Sequence, residues 1–189
     1  MFICIFVYSK KIYKKYLYNK IKFNNILLIL RNNRNNKTVL ILHDENEMTL
    51  FGDKLARIAQ QGDILLLSGA LGAGKSVFAR AFLRSFCANP TMEVPSPTYT
   101  LVQPYPSPRC TVYHFDLWRL NGANDLDELG WDEAQEGIIL VEWPERLENL
   151  SLPHALHITL SILSNGYRAA HLKGWENRLH HAMIGSFLS

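Results

Sequence analysis

Along most of the chain, continuous apolar runs alternate with segments in which apolar residues recur every three or four positions. The runs at 63–68 and 137–142 have almost no polar interruption, which is typical of strands buried on both faces of a parallel sheet. A shorter apolar run at 38–43 predicts a further strand. Apolar positions that recur every three or four residues over 45–59 and 76–87 predict two amphipathic helices. Strands and helices in this order are typical of an α/β domain.

Extended segments and turns dominate the second half of the chain. The segments at 99–103 and 111–115 lie on either side of a proline-rich turn and predict a pair of strands. The segments at 156–160 and 167–171 flank Ser164-Asn165-Gly166, which is a strong β-hairpin signal. The predicted fold is therefore a single α/β domain whose central sheet mixes parallel and antiparallel strands and is flanked by helices.

The first 37 residues differ in composition from the rest of the chain. Residues 1–37 contain 9 of the 20 Lys and Arg and no acidic residue, whereas residues 38–189 contain 11 basic and 17 acidic residues, a charge of −6. This break predicts a basic N-terminal extension over 1–37 and one domain over 38–189. Two interpretations of the extension stay open. It is either a basic surface for membrane or nucleic acid, or a segment that is disordered or results from a mis-assigned start.

The composition excludes several classes of protein. With 48% hydrophobic and 20% charged residues, the chain is neither mainly disordered nor a coiled-coil rod. No apolar run reaches the roughly 18 residues that a membrane-spanning helix needs. Three cysteines without a C-x-x-C pair argue against a disulfide framework and against a cysteine zinc site. We therefore expect a cytoplasmic protein that does not enter a membrane.

The strongest chemical signal follows the strand at 63–68. Residues 69–76 fit the phosphate-loop pattern G-x-x-x-x-G-K-[ST] at every fixed position. Glycines let backbone N–H groups approach phosphate oxygens, and the N-terminus of the next helix favours an anion. The pattern assigns phosphate contact to Lys75 and Mg²⁺ binding to the Ser76 hydroxyl. The residues expected to contact the nucleotide here are Gly69, Ala70, Leu71, Gly72, Ala73, Gly74, Lys75, Ser76 and Val77.

A nucleotide that is hydrolysed also needs carboxylates near its metal ion. Glu142 ends the predicted strand at 138–142, and Asp116 ends the one at 112–116. Ligands of open α/β sheets bind at the carboxyl ends of the strands, so both carboxylates are candidates for the metal or the attacking water. These features do not distinguish kinases, GTPases, motor ATPases and nucleotide switches.

Four sequence blocks together resemble the TsaE family, also known as YjeE. The first, at 62–76, contains the phosphate loop and is shared by many other proteins. The others read Val-Pro-Ser-Pro-Thr-Tyr-Thr-Leu-Val at 94–102, Tyr-His-Phe-Asp-Leu-Trp-Arg-Leu at 113–120, and Leu-Gly-Trp leading to Val-Glu-Trp-Pro-Glu-Arg at 141–146. This combination is highly specific. The family comprises small bacterial phosphate-loop ATPases needed to make threonylcarbamoyladenosine in tRNA.

The resemblance implies a single phosphate-loop NTPase domain with a mixed sheet, and it implies roles for individual residues. Asp116 and Glu142 resemble the two acidic residues of the metal and hydrolysis site. Thr98 resembles the polar residue of a nucleotide-sensing switch segment, and Trp143 the aromatic residue beside the nucleotide pocket. ATP and Mg²⁺ are the implied cofactors. The implied partners are TsaD and TsaB, whose turnover ATP hydrolysis would support.

Two other functions stay open at the level of the residues. A small-molecule kinase usually needs a lid with several cations, and the basic residues between 89 and 149 are only Arg109, Arg119 and Arg146. A nucleotide-dependent switch needs no turnover. Direct tRNA binding is not favoured, because the domain carries −6 and phosphate contacts need a basic surface. We expect a slow ATPase that depends on its partners, since no segment clearly supplies an arginine finger.

Overall fold

One sheet organises the part of the chain that the structure describes. The structure is a computed structural model that describes residues 18–23, 26–31, 38–120, 126–147 and 150–179. The helices are α1 (Glu45–Ile58), α2 (Lys75–Phe86) and the single turn α3 (Trp131–Ala134), and a further helix begins at residue 176. The strands are β1 (Tyr18–Phe23), β2 (Ile26–Arg31), β3 (Thr38–Leu42), β4 (Ile64–Ser68), β5 (Val102–Tyr105), β6 (Val112–Asp116), β7 (Ile138–Glu142), β8 (Leu156–Ile162) and β9 (Arg168–Lys173).

The strand order mixes parallel and antiparallel neighbours. Across the sheet the strands follow the order β1-β2-β3-β9-β8-β4-β7-β6-β5. The central strands β8, β4, β7 and β6 are parallel, whereas β5 is antiparallel to β6, and β9 is antiparallel to both β8 and β3. The predicted mixed sheet is therefore confirmed. Because the central strands are parallel, Ser68, Asp116 and Glu142 end at the same edge of the sheet.

Alternate residues of the central strands contribute to two separate cores. Leu65 and Leu67 of β4 pack with Leu140 of β7 in the core beneath α1 and α2. Leu66 and Val141 point to the other face, where α3 covers the sheet. All five side chains are buried. Burial on both faces explains why β4 and β7 read as uninterrupted apolar runs in the sequence.

Aromatic side chains hold α2 firmly against the sheet and α1. Phe78, Phe82 and Phe86 follow one another at helical spacing, with ring centroids 6.2 and 5.9 Å apart. Phe51 of α1 lies 5.0 Å from Phe78. At Gly52 a Cβ atom would lie 2.9 Å from the Cβ of Ala81, so a glycine permits the close approach of the two helices. This packing fixes the position of the first turn of α2.

The strand predicted at 99–103 is displaced in the structure. It begins at Val102 and continues to Tyr105. The reason is a turn in which the Leu101 N–H donates to the Pro97 carbonyl at 2.7 Å, with Leu101 at a φ of 63°. A positive φ interrupts an extended backbone, and Pro104 is tolerated because β5 is an edge strand among the described residues. The prediction of the strand start was wrong by three residues, because this turn has no glycine to mark it.

The sheet extends beyond the predicted domain boundary at Lys37. β1 and β2 form an antiparallel pair, and β2 pairs with β3 through residues 27–30. β3 also pairs along its full length with β9 on its other side. The boundary stays a prediction, and the rest of the extension lies outside the described residues.

Two sequence observations concern membranes and cysteines. Within the described ranges, no helix is long and apolar enough to cross a membrane. Cys87 and Cys110 are free thiols, and burial raises the pKa of both. A raised pKa keeps both thiols protonated and weakly reactive at neutral pH. Cys4 lies outside the described residues.

Removing residues 1–36 is expected to leave nucleotide binding and melting temperature nearly unchanged. β3 keeps its pairing with β9. Three strands, β3, β9 and β8, separate the β1–β2 pair from β4, which leads into the phosphate loop. The measurement compares a chain that begins at Lys37 with the full-length chain by thermal melting and nucleotide titration. A fall of more than about 5 °C, which corresponds to about 2 kcal/mol for a domain of this size, would show that the extension belongs to the domain.

Candidate nucleotide site

The phosphate loop connects the end of β4 to the start of α2. Gly74 is the N-cap of α2 with a φ of 106°, and no side chain caps the helix. A Cβ atom at Gly69 would lie 2.4 Å from the Leu160 carbonyl oxygen, so this position has room only for glycine. The first N–H groups of α2 therefore face the loop without a side-chain partner, and the helix dipole favours an anion there.

Lys75 lies folded over the loop. Its side chain is buried, and its ammonium donates to the carbonyls of Gly69 and Ala70 at 2.8 and 3.1 Å. The ammonium also lies 3.7 Å from the ring centroid of Trp143, a cation–π contact. Burial lowers the pKa of the Lys75 ammonium, and nearby carboxylates, Glu142 first, oppose that shift. Two carbonyl oxygens and one aromatic ring therefore hold the Lys75 ammonium at the loop.

Ser76 and Glu142 join the phosphate loop to β7. The Ser76 hydroxyl donates to Oε2 of Glu142 at 3.0 Å. The two residues are 66 positions apart in the sequence. Glu142 is the last residue of β7 and is only 2% exposed. A hydroxyl and a carboxylate, whose oxygens are both of the kind that binds hard metal ions, therefore meet beside the loop.

Asp116 lies beside Glu142 because of the strand register. The two residues are direct partners in the parallel pairing of β6 with β7, so they lie on the same face of the sheet. Asp116 is also buried, at 4% exposure. The backbone helps to fix this edge, since the Leu117 N–H donates to the Glu142 carbonyl at 3.1 Å and the Trp143 N–H to the Leu67 carbonyl at 3.2 Å.

Both oxygens of the Asp116 carboxylate accept hydrogen bonds. Its Oδ2 accepts from the hydroxyls of Ser96 at 2.6 Å and Thr98 at 3.0 Å. Its Oδ1 accepts from the backbone N–H of Trp118 at 3.2 Å. The structure thus brings Thr98 to the site, and it adds Ser96, which the sequence analysis did not single out.

Two tryptophans form one wall of the site. Trp143, with a φ of 62°, and Trp118 have ring centroids 4.4 Å apart at an interplanar angle of 50°. Arg146 lies over Trp118 at 5.9 Å. Trp118 is 47% exposed, so the wall continues to the surface. The aromatic residue expected beside the pocket is therefore present, and it has a second ring as its neighbour.

These groups surround one cleft of about 460 Å³. Gly69, Ala70 and Ala73, although predicted to contact the nucleotide, do not line it: the carbonyls of the first two hold Lys75, and Ala73 is packed in the core. The residues that line the cleft are Leu71, Gly72, Gly74, Lys75, Ser76, Val77, Ser96, Thr98, Asp116, Trp118, Arg119, Glu142 and Trp143.

A separate, larger groove of about 640 Å³ lies between α1 and α2, and its Asp53 and Arg57 pair with each other.

The structure adds two further residues that sequence reasoning missed. His114 contacts Glu142, with Nε2 3.0 Å from Oε1. Its position two residues before Asp116 in a strand was a signal that the two share a face. Arg168 donates to the Gly72 carbonyl at 3.2 Å from 96 positions away. No local pattern indicates that contact, because it depends on how β9 is placed in the sheet.

Comparison with known sequence families shows what this chain is similar to. The sequence model described as "Threonylcarbamoyl adenosine biosynthesis protein TsaE" matches residues 42–170, a range that includes the phosphate loop, Asp116 and Glu142. The chain belongs to the TsaE family. The resemblance seen in the four sequence blocks is therefore confirmed, and the protein is a nucleotide-binding phosphate-loop protein of that family.

Curated TsaE proteins are similar to most of this chain. One from Rickettsia felis is 39% identical over 131 residues, covering 69% of this chain and 76% of the relative. Another from Rickettsia typhi is 38% identical over 133 residues, covering 70% and 92%. Both are named tRNA threonylcarbamoyladenosine biosynthesis protein TsaE. The crystal structure of Bacillus subtilis YdiB has the same fold, with a TM-score of 0.64 at 21% identity, covering 79% of this chain and 96% of that one.

Replacing Lys75 with alanine is expected to weaken binding of ATP by about tenfold to a hundredfold. A hydrogen bond to a charged group contributes about 1.5–3 kcal/mol, and no other described lysine lines the cleft of this TsaE protein. Isothermal titration calorimetry measures the affinity. Lys173→Ala, at the far end of β9, is the matched control. Unchanged affinity in Lys75→Ala would contradict the assignment of the phosphate site.

Proposed function

We propose that this protein binds ATP with Mg²⁺ and hydrolyses ATP to support threonylcarbamoyladenosine formation in tRNA, through a complex of TsaD and TsaB. The observation that carries the proposal is the hydrogen bond from Ser76 to Glu142, with Asp116 opposite Glu142 in register. This arrangement brings three side chains with oxygen ligands, Ser76, Asp116 and Glu142, together beside the phosphate loop. The family description supports the pathway, and the resemblance supports the partners.

The donor set fits Mg²⁺. This ion prefers carboxylate and hydroxyl oxygens and is usually bound by one or two protein groups together with substrate phosphates. The described residues contain no cluster of three or more His, Cys, Asp or Glu side chains that would form an all-protein cage. Ser76, Glu142 and Asp116 are the residues that would hold the ion. When bound, it would neutralise negative charge on the phosphates.

Each residue of the site has a defined task in the proposed reaction. Lys75 and the first N–H groups of α2 bind the phosphates and stabilise the charge that develops on them. Glu142, a buried carboxylate at the end of β7, orients the attacking water and accepts a hydrogen bond from it. Asp116 keeps Ser96 and Thr98 in place at the cleft, so that this segment senses the nucleotide.

Slow turnover without partners follows from the positions of the arginines. Arg119 lines the cleft, but its guanidinium lies 4.7 Å above the exposed ring of Tyr99. Arg168 contacts the Gly72 carbonyl. An arginine that reaches the transferred phosphoryl group contributes about 10³–10⁵ in rate, and a partner can supply one.

A kinase function has little support. Arg109 donates to the carbonyls of Ala56 and Ala59 and covers the Phe86 ring, so it is committed to packing rather than to a phosphoryl-clamping lid.

The proposal also includes a cytoplasmic location. It includes no direct contact with tRNA, because residues 38–189 carry an excess of acidic side chains.

Replacing Glu142 with glutamine is expected to keep ATP affinity within about twofold and to lower kcat by about a hundredfold or more. The amide is nearly isosteric, but it cannot polarise water or take up charge. Asp116→Asn is expected instead to raise the Mg²⁺ concentration required for half-maximal rate. Phosphate release at varied Mg²⁺ measures both effects. Glu136→Gln, an exposed carboxylate just before β7, is the control, and exchanged phenotypes would mean that the two roles are reversed.

Adding purified TsaD and TsaB is expected to raise the rate of phosphate release by at least about tenfold. The Lys75→Ala variant, assayed in the same mixture, measures contaminating ATPase activity. Nucleotide binding without phosphate release, alone or with the partners, would indicate a switch. Transfer of phosphate to an added metabolite in place of its release would indicate a kinase.

A further inference from the structure

His114 is a buried imidazole inside the sheet. It lies in the middle of β6, two residues before Asp116, and is only 1% exposed. Its direct register partner is Leu140, one pleat before Glu142 on β7. His114, Asp116 and Glu142 therefore share the face of the sheet beneath α2. Nothing in the phosphate-loop pattern requires a histidine at this place.

A chain of hydrogen bonds runs from His114 to the phosphate loop. Nε2 of His114 lies 3.0 Å from Oε1 of Glu142, and Oε2 of Glu142 accepts from the Ser76 hydroxyl at 3.0 Å. Since a carboxylate oxygen is an acceptor, Nε2 carries the hydrogen of this contact. Each oxygen of the buried carboxylate thus has its own partner, on opposite sides.

A structural role alone does not explain why this residue is polar. Nδ1 of His114 is buried and has no hydrogen-bond partner among the described residues. The hydroxyl of Tyr105, whose ring centroid lies 6.5 Å from that of His114, is likewise buried without one. An unsatisfied buried polar atom costs about 1–3 kcal/mol. The buried imidazole therefore carries a cost in stability, and its contact with Glu142 is the interaction that it provides.

We propose that His114 is a positioning residue for the Glu142 carboxylate. Its Nε2–H holds Oε1 on the inner side, so that Oε2 faces Ser76 and the phosphate loop. Without that donor, Oε1 would be buried without a partner, and the carboxylate would rotate away from the loop to find one. The proposal rests on the proposed function of Glu142 in hydrolysis.

Three substitutions at His114 test the proposal in the full-length chain. Glutamine places an amide N–H near the position of Nε2, whereas leucine removes the donor and asparagine is too short to place one there. We expect His114→Leu and His114→Asn to lower kcat by about tenfold to a hundredfold, the usual range for a residue that orients a ligand. ATP affinity at saturating Mg²⁺ should stay within about twofold. His114→Gln should recover most of the loss.

A second readout does not depend on turnover. Titration of the protein–ATP mixture with Mg²⁺, followed by tryptophan fluorescence, gives the midpoint of Mg²⁺-dependent binding. We expect His114→Leu and His114→Asn to raise this midpoint by about tenfold, because a rotated Glu142 carboxylate no longer reaches the ion, whereas the amide of Glu142→Gln still offers it an oxygen. His157→Leu, an exposed histidine on β8, should leave it unchanged. A wild-type midpoint and kcat in folded His114→Asn would overturn the proposal, as would a His114→Gln variant as impaired as His114→Asn.

Combination with Glu142→Gln separates this proposal from the function on which it rests. If His114 acts through Glu142, adding His114→Leu to Glu142→Gln should lower kcat no further. A further loss in the double variant would overturn the positioning role. If Glu142→Gln by itself retains wild-type turnover, the proposed function of Glu142 fails. If Glu142→Gln loses turnover while His114→Asn does not, only the role of His114 fails.

Discussion

The parallel pairing of β4, β7 and β6 is the constraint on which the site depends. Glu142 is the register partner of Leu67 on one side and of Asp116 on the other. A shift of one residue in the register of β6 and β7 against β4 would turn both carboxylates to the opposite face of the sheet. It would also bring side chains from different cores together, because alternate residues of these strands, such as the leucines of β4, belong to different cores. The hydrophobic pattern that stabilises the sheet therefore also fixes where the Asp116 and Glu142 carboxylates lie.

Buried charge is the second determinant. Lys75, Asp116 and Glu142 are each no more than 5% exposed, and each has hydrogen-bond partners. Two carboxylates near one ammonium leave an excess of negative charge where the solvent cannot compensate it. A divalent cation is the natural complement of such a set, which is why the proposed Mg²⁺ site and the folding of Lys75 over the loop belong to one electrostatic arrangement.

Asp116 also links the site to a surface segment. The hydroxyls of Ser96 and Thr98 bind its carboxylate, and the turn that ends at Leu101 follows directly. Within this segment Tyr99 is 84% exposed. The carboxylate proposed to hold the metal ion therefore also anchors a segment that reaches the solvent, and a change in its hydrogen bonds would be transmitted directly to the surface.

The sequence by itself determined the features that depend on local spacing. The loop at 69–76, the helices that begin after Asp44 and Gly74, and carboxylates at the ends of β6 and β7 all follow from residues close to one another in the chain. The tertiary structure decided which distant groups meet. Ser76 finds Glu142 across 66 positions, His114 finds it across 28, and Arg168 reaches the loop across 96. These contacts depend on strand order and register, which are set by packing of the whole core, and no local pattern encodes them.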